Sequence, residues 1–260
     1  MLLRRPLRGA GVLREGAGER EWRGAAARAE LLDDPAADGA VTVASLRDVA
    51  LANRFLGGTA AALRRLDETL RAVPAGTALT LLDVGTGIGD IPRAARARAA
   101  RRGVTLRLLA VERHPSAARA ARSAGVPSVV ADAAALPLAR RSVDLVLCSQ
   151  LLHHFRGAAL TGVVAELERV ARRWVVVADL VPSRLAAAGL WLASFPLRFQ
   201  PVSRRDGVTS VLRGFTPRAL REACAAAGVA ADVRRHLPFR VTAAWRPPRD
   251  AAAAATVGSA

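Results

Sequence analysis

Three acids, Asp83, Glu112 and Asp132, each follow a short apolar run, and the first of them leads into a glycine-rich turn. The turn, LLDVGTGIGD over residues 81–90, places Gly85, Thr86, Gly87 and Gly89 where a strand should end and a helix begin. Glycines at such a junction let the backbone turn tightly and lie close to a ligand that a Cβ would push away. An ordinary tight turn can have the same composition, so the acids carry the distinction. Glu112 closes LRLLAVE, where a carboxylate can accept from both hydroxyls of a ribose, although it could also cap the helix that Pro115 starts. Asp132, in ADAAALP, can accept from an adenine amino group while the N–H of Ala133 meets a ring nitrogen. Three acids ending three successive strands describe a nucleotide site at the edge of a sheet.

The choice of nucleotide rests on charge. A dinucleotide fingerprint has glycines at the first, third and sixth places, so that a helix N-terminus faces the pyrophosphate. Here the sixth place of GTGIGD is Asp90, and Asp83 stands just before the turn. Acids repel a pyrophosphate but suit the sulfonium and ammonium groups of S-adenosylmethionine (SAM). An NAD(P) oxidoreductase is further disfavoured because the chain has no Tyr and no Lys.

These residues need a scaffold that brings strand ends together. Runs at 79–84, 106–111, 128–131, 143–148 and 174–178 are apolar enough to be strands buried on both faces. Helical stretches at 91–102, 115–124 and 158–171 lie between them, and the alternation predicts a parallel sheet with right-handed crossovers. Two closing strands, 231–236 and 239–245, complete a seven-stranded, mostly parallel α/β sheet with helices on both faces and the last strand antiparallel. Residues 45–246 form this domain, with N-terminal helices at 45–75 that break at Gly57-Gly58 and an insertion at 180–216 that covers the substrate. Residues 1–44 are expected to be a flexible or loosely helical arm, and the Ala-rich 247–260 a disordered tail.

Composition removes other chemistries. All 39 basic residues are Arg, so there is no Walker A lysine and no Schiff-base lysine. The net charge of +17 is spread along the chain, which speaks against a nucleic-acid partner without excluding one. Cys148 and Cys224 lack the spacing of a metal site, no metal is expected, and both suit buried thiols in a reducing cytoplasm. The longest apolar stretch, 185–197, is too short to span a bilayer, and the start of the chain does not read as a signal peptide.

LLDVGTGIGD, VERHP, ADAAALP and SVDLVLCSQLLHHF resemble, in order, four motifs of the class I SAM-dependent methyltransferases of Rossmann-like fold. SQLLHHF is similar to the small-molecule branch that includes the ubiquinone and menaquinone enzymes, and base amino methyltransferases carry an NPPY-like motif in that place. NRFLGG and SRRDGVTSVLRGFTP resemble methyltransferases associated with type III polyketide synthases, which implies a phenolic or pyrone hydroxyl, or a quinol-like ring, as methyl acceptor. The resemblance implies that Asp83, Gly85 and Gly87 hold the methionine part of SAM, Glu112 and the neighbouring Arg113 the ribose, and Asp132 with Ala133 the adenine. Ser149 and Gln150 would border the reacting methyl. His153 and His154, the latter preferred, are candidate bases because imidazole is neutral near pH 7. Asp179, Arg205 and Asp206 could orient a polar group of the acceptor. The competing expectations are an RNA or protein methyltransferase using the same cofactor, and a non-catalytic partner that keeps the fold.

Overall fold

The expected apolar runs all form strands of one seven-stranded sheet: β1 (Ala78–Val84), β2 (Thr105–Glu112), β3 (Ser128–Val130), β4 (Val143–Ser149), β5 (Ala171–Leu180), β6 (Asp232–His236) and β7 (Arg240–Trp245). The structure is a computed structural model and describes residues 30–34 and 36–248. The strand order is β3-β2-β1-β4-β5-β7-β6. β1 to β5 are mutually parallel, and β7 runs antiparallel to both β5 and β6.

Among the described residues, eight α-helices flank the sheet: α1 (Gly39–Phe55), α2 (Gly58–Leu70), α3 (Asp90–Ala100), α4 (Pro115–Ser123), α5 (Gly157–Val170), α6 (Arg184–Ser194), α7 (Pro201–Arg213) and α8 (Pro217–Ala226). Alternate strand residues bury opposite faces. Leu81, Leu145 and Leu147 pack with Leu66, Ile91 and Ala95 on one side. Leu82, Val146 and Cys148 pack with Val163, Leu167 and Leu220 on the other. Both cysteines are buried, and burial raises both thiol pKa values, that of Cys224 to about 11. Helix starts obey local chemistry: the Thr216 hydroxyl accepts from Ala219 N (3.1 Å) ahead of Pro217, and His114 Nδ1 accepts from Ser116 N (3.3 Å) ahead of Pro115.

Three expectations are corrected. Of the five runs expected to be buried on both faces, only that of β4 is buried along its whole length; Thr105, Arg107 and Leu109 of β2 are exposed, because β2 lies near the sheet edge beside the three-residue β3. The first helix begins at Gly39 instead of Ser45, since Asp38 caps it by accepting from Ala40 N and Val41 N (2.9 and 3.0 Å). Part of the expected arm is ordered: Leu31–Asp33 form a single 3-10 turn, and Leu31 N donates to Asp206 of α7 (2.8 Å). Residues 1–29 and most of the expected tail lie outside the described residues.

No helix among the described residues is long and apolar enough to cross a membrane. Leu147 is fully buried at the centre of β4. Leu147→Ala should cost about 2–5 kcal/mol of unfolding free energy in urea titration, the range for a cavity cut into a packed core.

Candidate functional site

The strand order reverses between β1 and β4, so the crossovers from these neighbours leave in opposite directions and a crevice remains at their C-terminal ends. Gly85 and Gly87 sit there with φ of +74° and +56°. A Cβ on Gly85 would meet Leu151 at 3.0 Å and one on Gly87 would meet Leu46 at 3.2 Å, so both positions need a residue without a side chain. Gly89 is not among the residues lining the crevice; a Cβ there would strike Val126 at 2.9 Å, so its lack of a side chain lets the start of α3 pack closely.

The crevice holds a cavity of about 320 Å³ lined by most of the expected cofactor residues: Asp83, Gly85, Thr86, Gly87, Glu112, Arg113, Asp132, Ala133, Ser149 and Gln150. Several of its polar atoms await a partner. Asp83 Oδ1, Thr86 Oγ1 and Ser149 Oγ are buried with no hydrogen bond. Glu112 Oε2 accepts from Gly87 N (2.8 Å) and Oε1 from His114 N (3.0 Å), so this carboxylate fastens the turn, with one lone pair on each oxygen to spare. Asp132 Oδ1 accepts from Ala134 N (2.8 Å).

Burial raises the Asp83 pKa to about 7, and the nearby Asp90 and Glu112 carboxylates add to the effect. Burial likewise raises those of Glu112 and Asp90. A cluster of desolvated acids that resist ionisation is a site in want of a cation.

A second cavity, of about 380 Å³, lies under the insertion. Its walls are mostly apolar, from Leu56, Val181, Leu190, Phe199, Val211 and Phe239. It also receives His153, which the expected base pair brings to the cavity by a single 3-10 turn at Leu152–His154. His153 Nδ1 donates to Asp179 Oδ1 (2.7 Å), and its Nε2 is buried without a partner. Burial opposes ionisation of Asp179, but the interaction with His153 outweighs it and holds the carboxyl below its usual range. Arg240 donates from Nε and Nη2 to Leu56 O (3.1 and 3.0 Å), while its Nη1 is buried and unpaired; burial lowers its pKa to about 10.

The two cavities share a wall made of Leu32, Val49, Gln150 and His154. Gln150 takes a left-handed φ of +53° at the end of β4 and hydrogen-bonds through its side chain to Asn53 of α1. A side chain in that region costs on the order of 1 kcal/mol and persists where the surroundings impose it. His154 Nδ1 donates to Asp33 Oδ1 (2.7 Å). Although burial opposes it, His154, Glu30 N and Arg213 hold the Asp33 carboxyl far below its usual range. Glu30, His153 and His154 bring their donor atoms within 4.8 Å of one another, but Glu30 is already engaged by Ser210 Oγ (2.6 Å) and Arg213 (3.1 Å).

Among the residues expected at the acceptor, Asp206 lines the second cavity while accepting from Leu31 N. Asp179 and Arg205 line neither cavity: Asp179 lies behind His153, and the Arg205 side chain is 61% exposed at the surface. Sequence reasoning gives no site role to Leu32, Asn53 or Arg240: Asn53 stands in NRFLGG, which signals only a family likeness, and the other two are commonplace residues in segments with no motif. Only the positive φ of Gln150 and the capping sequence at Asp38 mark this part of the site locally.

Residues 82–177 match the family model described as a methyltransferase domain. No curated protein matches the sequence. The fold is similar to that of a SAM-dependent methyltransferase from Aquifex aeolicus (16% identity, 72% of this chain and 89% of that one, TM-score 0.50). It is similar, too, to a Haloferax volcanii methyltransferase solved with the Trm112 methyltransferase activator (18%, 86% and 100%, 0.54). A third likeness is to the CMeT domain of the citrinin polyketide synthase (15%, 74% and 52%, 0.55). The first cavity fits SAM: orphaned Asp83, Thr86 and Ser149 oxygens and two glycines without room for a Cβ line it.

Between about pH 4 and pH 7 folded Asp83 keeps a proton that the unfolded chain has lost, so it subtracts stability increasingly as pH rises through that window. Asp83→Asn should therefore stabilise the cofactor-free protein more at pH 8 than at pH 5, by a further increment on the order of 2 kcal/mol in denaturant titrations.

Proposed function

We propose that the protein is a SAM-dependent methyltransferase acting on a small, largely apolar acceptor that carries a hydroxyl, such as a phenol, pyrone or quinol-like ring, bound in the cavity beneath residues 180–216. The observation that carries this is the pairing of two cavities through one thin wall. One is lined by the acids and glycines of the cofactor motifs; the other is apolar except at a few points, with His153 Nε2 and Arg240 Nη1 buried and unpaired. A long RNA or protein strand would call for an open polar groove, whereas this cavity is sized for a small ring.

In this proposal Asp83 with Gly85 and Gly87 holds the amino acid end of the cofactor, the remaining lone pairs of Glu112 meet the ribose, and Asp132 with Ala133 meets the adenine. When bound, SAM supplies an electrophilic methyl on a sulfonium, a good leaving group that needs no covalent help. The chain must then align the acceptor, exclude water and take up a proton. His153 is placed for the last task. Its Nδ1 proton is committed to Asp179, which leaves the Nε2 lone pair without a partner in a residue that lines the second cavity, and a carboxylate ready to stabilise the imidazolium. Sequence favours His154; this hydrogen bonding favours His153, with His154 in the wall where the cavities meet. Arg240 Nη1 would receive a second oxygen of the acceptor.

Isothermal titration should show micromolar binding of S-adenosylhomocysteine and none of NADH. Asp83→Ala and Glu112→Gln should each weaken that binding by at least about tenfold, the scale of one lost charge-assisted hydrogen bond. Full affinity in both variants would remove the cofactor assignment. With an acceptor found by screening phenols, pyrones and quinols, His153→Asn and Asp179→Asn should lower kcat by about 10²–10⁴, the usual worth of a general base, with homocysteine-product affinity within about twofold. A kcat that stays level in both would move the base elsewhere.

A further inference from the structure

Among the described residues, six of the ten large apolar side chains that are exposed belong to three elements that border the second cavity: Phe55, Leu185, Trp191, Leu192, Phe195 and Leu237. Helix α6 buries Ala187 and Leu190 against Phe199 and Val211, as a surface helix should. Its opposite side is apolar as well. Leu185, Ala188, Trp191, Leu192 and Phe195, spaced at helical period, all face outward, with Leu185 and Leu192 exposed by 72% and 68%. A helix apolar on both sides lacks a partner on one of them. The segment from Arg184 to Phe199 contains no acid at all.

Two other elements bring exposed apolar groups to the border of the same cavity. Leu237, 80% exposed, precedes Pro238 and Phe239, which line the second cavity. Phe55, 61% exposed at the end of α1, precedes Leu56, which lines it also. Leu185 and Gly189 of α6 are at once exposed and part of that cavity's wall. Cations stand over two of the surface rings: Arg54 over Phe55 at 5.6 Å and Arg204 over Phe195 at 4.3 Å.

We infer that α6, together with the turn at Leu237 and the end of α1, docks on an anionic lipid surface, with the mouth of the second cavity facing the bilayer. α6 has 11 residues, about 17 Å of helix, far short of a bilayer's hydrocarbon thickness, so it lies in the interface. Leucines and a tryptophan facing the acyl boundary, with arginine guanidiniums standing over aromatic rings beside them, match the chemistry of such a surface. A second protein copy would gain from the apolar groups but be repelled by the same arginines. The route this offers an apolar acceptor, from the bilayer straight into the cavity, rests on the methyltransferase proposal; the docking itself does not.

The test is co-sedimentation of the full chain, without cofactor or acceptor, with vesicles of phosphatidylcholine alone or with roughly 30% phosphatidylglycerol. The expected result is binding to the anionic vesicles that weakens with salt and falls by roughly tenfold or more in Leu192→Asp and in Leu237→Asp, two substitutions on separate elements. Neither residue lines a cavity, so both variants should keep their circular dichroism and their affinity for S-adenosylhomocysteine. Trp191→Phe should still bind, but lose much of the fluorescence quenching that brominated lipid causes in the parent. Failure of the parent to sediment with anionic vesicles would overturn the docking, as would sedimentation that neither aspartate changes, which would mean a general attraction of arginines to anionic lipid. A dimer in sedimentation velocity that both aspartates dissociate, with vesicle binding unaltered, would overturn it in favour of a second copy. Each of these leaves calorimetry of the homocysteine product free to support or refute the cofactor assignment separately.

Discussion

The reversal of strand order between β1 and β4 is the constraint on which the site depends. Parallel strands leave their C-terminal ends on one edge of the sheet, and only where neighbouring crossovers turn opposite ways is that edge free of a covering helix. β4 is the strand that exploits this. All seven of its residues are buried, so its position is fixed by packing on both faces. Gln150, in a left-handed conformation, and the turn carrying His153 and His154 come directly after it and are therefore held by a rigid element instead of by a loose loop. The backbone of Gln150 is itself anchored, its N–H donating to Ala178 O of β5 (2.7 Å).

The second cavity depends on segments far apart in sequence. α7 is joined to the segment before α1 through Asp206 on Leu31 N, Ser210 on Glu30 and Arg213 on both Glu30 and Asp33. α1 is joined to the insertion by Asp48 Oδ2, which accepts from Gln200 N (2.9 Å). The base candidate is held from below by Asp179 at the end of β5, and the roof is held by a network of buried acids and arginines. Floor and roof thus belong to different parts of the chain, and Asp33 ties them together, accepting from both His154 and Arg213.

How much of this is legible in the sequence depends on the range of the interaction. Strands β1 to β7 and the helices between them announce themselves in runs and periods of neighbouring residues, and Asp83, Glu112 and Asp132 are legible because each is tied to a strand end. Asp179 shows the limit: sequence places it at the end of β5, which is correct, but whether it faces a ligand or His153 depends on a partner 26 residues away. Arg240 is hidden for the same reason, since its carbonyl partner at Leu56 is 184 residues distant. The ordered turn at Leu31–Asp33 reads in sequence as part of an arm because its local capping, Glu30 N donating to Asp33, is joined by distant partners on α7 and at His154. The both-face burial expected of β2 fails because an apolar pattern in one strand does not say whether its neighbour, β3, is long enough to extend the sheet beyond it.

The charge of the chain takes on a different meaning once the arginines are considered one at a time. Arg141 donates to the carbonyls of Glu168, Ala171 and Pro248; Arg169 to those of Leu136 and Leu138; Arg156 to those of His153, Phe155 and Arg213; Arg122 to that of Ser128. These carbonyls lie at strand ends, loops and the ends of helices, the places where backbone acceptors have no partner of their own. A guanidinium, with five donors in a fixed fork, can satisfy two or three of them at once, as an ammonium on a flexible stem could not. Several of the arginines that make the chain so basic are therefore engaged in closing loops. The arginines that remain at the mouth of the second cavity, laid across aromatic rings with no acid between Arg184 and Phe199, are suited less to a nucleic-acid groove than to a flat surface with an apolar interior and an anionic rim.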